Sequence, residues 1–88
     1  LLRSGRELRV VTDPDARIVL VGSDEVTAVE ADANYLHVHA RGGRLRTRGT
    51  LQRAEETLAP LGFLRIHRSA LVNLRYLREI RRRGRDSE

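Results

Sequence analysis

The chain has 88 residues, enough for one small domain whose core covers only about 60–65% of the surface its unfolded form exposes. It holds no Cys, which excludes disulfides, thiolate catalysis and Cys-based zinc sites, and no apolar run approaches the ~18 residues of a membrane span. The net charge of +5 is lopsided: residues 1–40 carry 4 Arg and 7 acids, residues 41–88 carry 13 Arg and 5 acids, and there is no Lys. Positive charge gathered in one half is the footprint expected for a polyanion partner, although exclusive use of Arg also suits a GC-rich genome. No signal-peptide pattern opens the chain, and a start at Leu1 reads as a domain within a longer protein.

Glycine, proline and polar clusters cut the sequence into short segments. Leu8 to Thr12 reads as a strand, followed by a turn at Asp13-Pro14-Asp15. Strands are expected at Arg17 to Val21 and at Val26 to Glu30, the latter ending in the polar loop Ala31-Asp32-Ala33-Asn34. Tyr35 to Ala40 alternates polar and apolar, and Gly42-Gly43 offers a two-residue hairpin turn into Arg44 to Gly49. Thr50 suits the cap of a short helix over residues 51–59, whose apolar positions Leu51, Ala54 and Leu58 follow helical spacing; Pro60 and Gly62 close it. Strands at Phe63 to Ile66, at Ala70 to Val72 and around Tyr76 to Arg81 complete a mainly β, antiparallel domain. Residues 1–16 form its N-terminal strand or linker edge, 17–80 its body and 81–88 a mobile basic tail.

A turn at Gly42-Gly43 pairs His39 with Arg46 and His37 with Arg48. Leu36, Val38, Ala40, Leu45 and Thr47 then share a face suited to a core, and Tyr35, His37, His39, Arg46 and Arg48 share the other. The second face is better explained if an anion meets it. Two His at i and i+2 also fit a zinc site with His67 as a third ligand. The opposing arginines repel a dication and no carboxylate is expected beside the pair, so no metal or other cofactor is expected.

The run Phe63-Leu-Arg-Ile-His-Arg-Ser-Ala-Leu-Val-Asn-Leu74 sets Arg65, His67, Arg68 and Ser69 between two apolar runs. Such a cluster belongs on a loop or strand end held by a packed scaffold. Ser69 and His67 suggest a nucleophile and a base, but no orienting acid is adjacent and no glycine-rich phosphate loop is present, so no enzyme is expected. Phe63, Ile66, Leu71 and Val72 read as core, and Asn73 as a structural hydrogen-bonding residue.

With these segments placed, the sequence resembles the LytTR family of DNA-binding domains, found at the C-terminal end of many bacterial response regulators. Four patches carry the resemblance: Asp24 to Ala31, Asn34 to His39, Arg48-Gly49-Thr50-Leu51 and, most specifically, Phe63 to Leu74. It implies an elongated antiparallel β domain with a short helix. It also implies a cytoplasmic partner of duplex DNA, met through loops in neighbouring major grooves, often as two copies on repeated sites and joined to a signalling domain.

Chemistry supports the carry-over at named positions. Arg68 has a rigid fork for guanine O6 and N7. Asn34, with Tyr35 beside it, either reads adenine or supports a turn. His37, Arg46, Arg48, Thr50, Gln52, Arg65, His67 and Ser69 suit phosphates. His67 serves equally well as a buttress of its loop. The end of the chain departs from the family, which usually continues past Ile80 into a further hairpin and a closing Ser-Arg segment; here Arg81-Arg82-Arg83-Gly84-Arg85 follows. That departure keeps a second function open, an interaction or dimerisation module with weak or non-specific DNA binding. Single-strand binding has little support, because stacking needs aromatics and only Tyr35, Phe63 and Tyr76 are present.

Overall fold

The computed structural model describes residues 1–77. Two antiparallel sheets share one core, and the domain is elongated, at 42 × 28 × 24 Å. The first sheet has the order β1 (Leu2–Ser4), β2 (Glu7–Val11), β3 (Ile18–Gly22). Strand β2 alternates strictly, burying Leu8 and Val10 completely and leaving Glu7, Arg9 and Val11 outside. The sequence did not reveal β1, because all three of its residues are exposed and carry no apolar rhythm. Strands β2 and β3 are joined by a braced turn. The Thr12 hydroxyl donates to the Asp15 carboxylate at 2.6 Å and accepts from the Arg17 N–H at 3.1 Å. That hydroxyl, with a smaller effect from the Arg17 guanidinium, holds the Asp15 carboxyl below its ordinary pKa.

The second sheet contains β4 (Val26–Asp32), β5 (Tyr35–Ala40), β6 (Gly43–Arg48), β7 (Phe63–His67) and β8 (Ala70–Asn73), in the order β6-β5-β4-β8-β7. The helix α1 (Leu51–Leu58) crosses between β6 and β7 and buries Leu51, Ala54 and Leu58 against Val29, Phe63 and Leu71. Thr50 caps it, its hydroxyl accepting from the Arg53 N–H at 3.3 Å. A 3₁₀ turn at Ala59–Leu61 and Gly62, at φ 94°, end it one residue earlier than expected. The sheets are joined where Thr12 bridges to Thr47, whose hydroxyl donates to the Val11 carbonyl at 2.7 Å.

The hairpin register differs from the expected one. Ala40 pairs with Gly43, His39 with Arg44, His37 with Arg46 and Tyr35 with Arg48, so Arg41-Gly42 forms the turn. Gly43, at φ 145°, serves as the first residue of β6 instead of the last of the turn. The pairing slips by two residues, and a slip of two keeps every side chain on its face. Leu36, Val38 and Thr47 are accordingly buried, and Arg44, Arg46 and Arg48 stand outside.

Three further expectations are corrected. The loop after β4 is only the pair Ala33-Asn34, since Ala31 and Asp32 continue the strand; Ala33 takes the bend at φ 55°. Ile66 is 50% exposed, because a bulge between Arg65 and His67 leaves it without a cross-strand partner on the sheet edge. Tyr76 lies in a 3₁₀ turn (Leu74–Tyr76), its hydroxyl donating to the Asp24 carbonyl at 3.0 Å, and not in a strand. The rest of that expected strand, and the tail, fall outside the described residues. Among the described residues no helix is long and apolar enough to cross a membrane.

Candidate nucleic-acid interface

Sheet order decides which of the candidate residues meet. The C-terminal ends of β4, β6 and β7 and the N-terminal ends of β5 and β8 lie at the same end of the second sheet. Arg48 is opposite Tyr35, and Tyr35 is opposite Asp32. The β7–β8 turn, Arg68-Ser69, joins this row through the Ala31 N–H, which donates to the Ser69 carbonyl at 2.8 Å. The start of α1 joins it through the Gly49 N–H, which donates to the Asn34 carbonyl at 3.0 Å. Asn34, Tyr35, Arg48, Thr50 and Gln52 thus gather at one side, and His67, Arg68 and Ser69 at the other.

At the usual strand spacing, three and a half steps put Arg48 and the β7–β8 turn about 17 Å apart, and the β4–β5 and β7–β8 turns, two steps apart, are separated by about 10 Å.

On the β6 side, Tyr35 organises the cations. The Arg46 guanidinium lies 4.6 Å from the Tyr35 ring centre and that of Arg48 5.5 Å. Arg48 also reaches the Tyr35 hydroxyl at 3.5 Å, which is the main cause of a pKa raised above the ordinary Arg value. Arg46 is anchored from behind by Asp13, donating to its carbonyl at 3.2 Å with a carboxylate oxygen at 3.7 Å. Arg48, Thr50 and Arg53 line a shallow depression of about 350 Å³. Arg53 was missed in the sequence, although its place three residues after the Thr50 cap puts it on the first helical turn.

On the β7 side the loop is tied from within. Arg65 donates to the His67 carbonyl at 3.3 Å and the Arg68 carbonyl at 2.6 Å, and it pairs with Glu55 on α1 at 3.3 Å. Its guanidinium braces the turn. The Ser69 N–H donates to His67 Nδ1 at 3.2 Å, so the ring proton of His67 sits on Nε2; the Ser69 hydroxyl lies 2.8 Å from the same nitrogen. His67 therefore buttresses its loop and keeps one N–H donor for a ligand. No acid lies against His67 among the described ion pairs and hydrogen bonds, so the contact with Ser69 lacks the third member of a catalytic set. Arg68 is exposed, and its guanidinium has no protein partner among the described residues.

His37 and His39 are turned toward β4. His37 Nε2 lies 3.6 Å from the Asp32 carboxylate, and His39 Nε2 lies 2.6 Å from that of Glu30. The expectation of no carboxylate beside the pair is corrected: both contacts are diagonal across the strands, which direct pairing did not reveal. His37 is mostly buried, and its Nδ1 has no partner. No group of three or more candidate metal ligands occurs among the described residues.

The Thr50 cap sets the angle at which α1 leaves the rim. Thr50→Ala is expected to cost about 1 kcal/mol of folding free energy, read as a lower urea midpoint at unchanged slope.

The described residues thus form an antiparallel β scaffold with arginines gathered at one end of its second sheet. The chain belongs to the LytTr DNA-binding domain family, whose pattern matches residues 16–87. It is thereby a DNA-binding domain of a kind typical of transcription regulators, and not a member of a catalytic family. No curated protein and no solved structure matches it.

Proposed function

We propose that this domain binds duplex DNA in a sequence-specific way and serves as the cytoplasmic output domain of a larger bacterial regulator of transcription, such as a response regulator. The observation that carries this reading is the row at one end of the second sheet. Arg48, Tyr35 and Asn34 stand on one side and Arg68, whose guanidinium has no partner among the described residues, on the other, about 10–17 Å apart by strand spacing. That distance suits a major groove about 12 Å wide with a phosphate strand at each margin.

In this reading Arg68 is the base reader, and Asn34 is the second. Arg46, Arg48, Arg53 and Gln52 hold phosphates on one margin. His67 Nε2–H and the Ser69 hydroxyl hold them on the other. Thr50 contributes the first amides of α1 more than its hydroxyl, which is engaged in the cap. Tyr35 positions cations rather than bases, since two guanidinium groups occupy its ring. Asp32, exposed at the centre of the row, keeps phosphates to the margins and can accept from a cytosine amino group.

Selection from random duplex DNA tests this function. An enriched motif is expected, and a flat pool would contradict it. Arg68→Ala should then cost about 1–3 kcal/mol on the selected site and relax preference at one position. Equal discrimination by parent and variant would remove Arg68 from base reading.

A further inference from the structure

Arg65 and Arg68 are close in the sequence, and the structure holds them in opposite ways. Arg68 is exposed, and its guanidinium has no partner among the described residues. The Arg65 guanidinium has a partner at every one of its nitrogens. Nε donates to the His67 carbonyl at 3.3 Å, Nη2 to the Arg68 carbonyl at 2.6 Å and Nη1 to the Glu55 carboxylate at 3.3 Å. The two carbonyls belong to the peptide groups on either side of the Arg68 Cα. Each peptide group is planar, so the orientations of that pair fix φ and ψ at Arg68, and with them the direction of its side chain.

We infer that Arg65 is a positioning residue for sequence reading: it clamps both peptide groups that flank Arg68 and so aims the Arg68 fork, with Glu55 of α1 as its anchor. The inference rests on the DNA-binding reading above, in which Arg68 reads a base. A bidentate contact to guanine needs the fork aligned with O6 and N7, so a mobile Arg68 backbone forfeits discrimination. The clamp uses the planar shape of Arg65. Its side edge, Nε and Nη2, spans the two carbonyls, and Nη1 turns to α1. Glu55 also offsets the Arg65 charge, so a phosphate approaching this guanidinium meets a carboxylate as well. The rest of the turn is tied separately, the Ser69 carbonyl to the Ala31 N–H and the Ser69 N–H to His67 Nδ1. Removing the Arg65 fork therefore frees Arg68 and leaves the hairpin attached to β4.

Two measurements test the inference, the first without DNA. Backbone amide NMR relaxation of the free chain should give Arg68 an order parameter of about 0.85, as in rigid backbone, which Arg65→Met lowers below about 0.6. The same order at Arg68 in both chains would overturn the clamp.

The second is a double-mutant cycle, read by fluorescence anisotropy on the selected duplex and on one in which the base pair read by Arg68 is replaced. Arg65→Met should lower discrimination between the two duplexes by roughly five- to thirtyfold, the factor for ordering one residue's backbone on binding. The salt slope should equal the parent's. In an Arg68→Ala background the same substitution should have no further effect on discrimination. Arg65→Lys keeps the charge and should lose discrimination as well, because an ammonium has no planar fork to span the two carbonyls. Equal weakening on both duplexes, with a slope shallower by about 0.9, would make Arg65 a phosphate contact and overturn the inference. Full discrimination by the lysine variant would overturn it too. A parent chain that selects no motif contradicts the DNA-binding reading itself, and the relaxation comparison decides the clamp in either case.

Discussion

Asn73→Ala is expected to lower folding stability by about 3 kcal/mol, although no part of Asn73 belongs to the cationic row. Its side chain is buried at the end of β8, where Nδ2 donates to the Ser23 carbonyl at 3.2 Å and the Val26 carbonyl at 2.9 Å. Its Oδ1 accepts from the Arg75 N–H at 3.0 Å. One amide therefore joins the segment before β4 to the segment after β8, about fifty residues apart in sequence. Truncation strands two carbonyls and one N–H, and each buried polar group left unpaired costs about 1–3 kcal/mol. A domain of this size is stable by only about 4–13 kcal/mol, so the loss is a large fraction of the whole. Urea unfolding should show a lower midpoint at the same slope, and thermal unfolding a Tm lower by roughly 10–20 °C. A change under about 0.5 kcal/mol would mean that water replaces the amide at no cost, and the site would then be less sealed than its burial indicates.

The second large effect is the response of DNA binding to salt. In the proposed reading three arginines of the row, Arg46, Arg48 and Arg53, neutralise phosphates. Three such contacts give a slope of log K against log salt of about −2.7. A rise from about 50 to about 200 mM salt should then weaken binding about 40-fold, or about 2 kcal/mol. Each arginine removed from the phosphate set should reduce the steepness by about 0.9. A shallow slope would mean that affinity comes from apolar contact, which the polar row does not offer.

The sequence revealed what repeats locally. The alternation of Tyr35 to Ala40, the helical spacing of Leu51, Ala54 and Leu58, and the Thr50 cap each report a period or a fixed offset. All three reappear in the structure. The faces of the β5–β6 hairpin were legible even though its turn was misplaced, because a two-residue slip does not change faces. The partners of the site residues were not legible. Arg46 meets Asp13 from 33 positions away, and Arg65 meets Glu55 from ten. Pattern reading sees each of these arginines only as a free cation, and the turn that Arg65 braces is visible only in the structure. Ile66 reads as core for a similar reason: a bulge leaves no trace in the alternation of apolar residues. Strand β1, three exposed residues long, offers no period at all. The family resemblance carried the function further than the residues alone, and the match over residues 16–87 places the chain in that family.

The central claim is that the end of the second sheet, and not the run Arg81-Arg82-Arg83-Gly84-Arg85, holds the duplex. It is tested most directly by fluorescence anisotropy titrations of one labelled duplex over a range of salt. The parent chain and the Arg48→Ala/Arg68→Ala variant are compared, both side chains being exposed and outside the core. The account predicts weaker binding by the variant at every salt concentration, with a slope shallower by about 0.9, since Arg48 is the phosphate contact of the two. Parallel lines of equal affinity would contradict it and would move the DNA contact to another part of the chain.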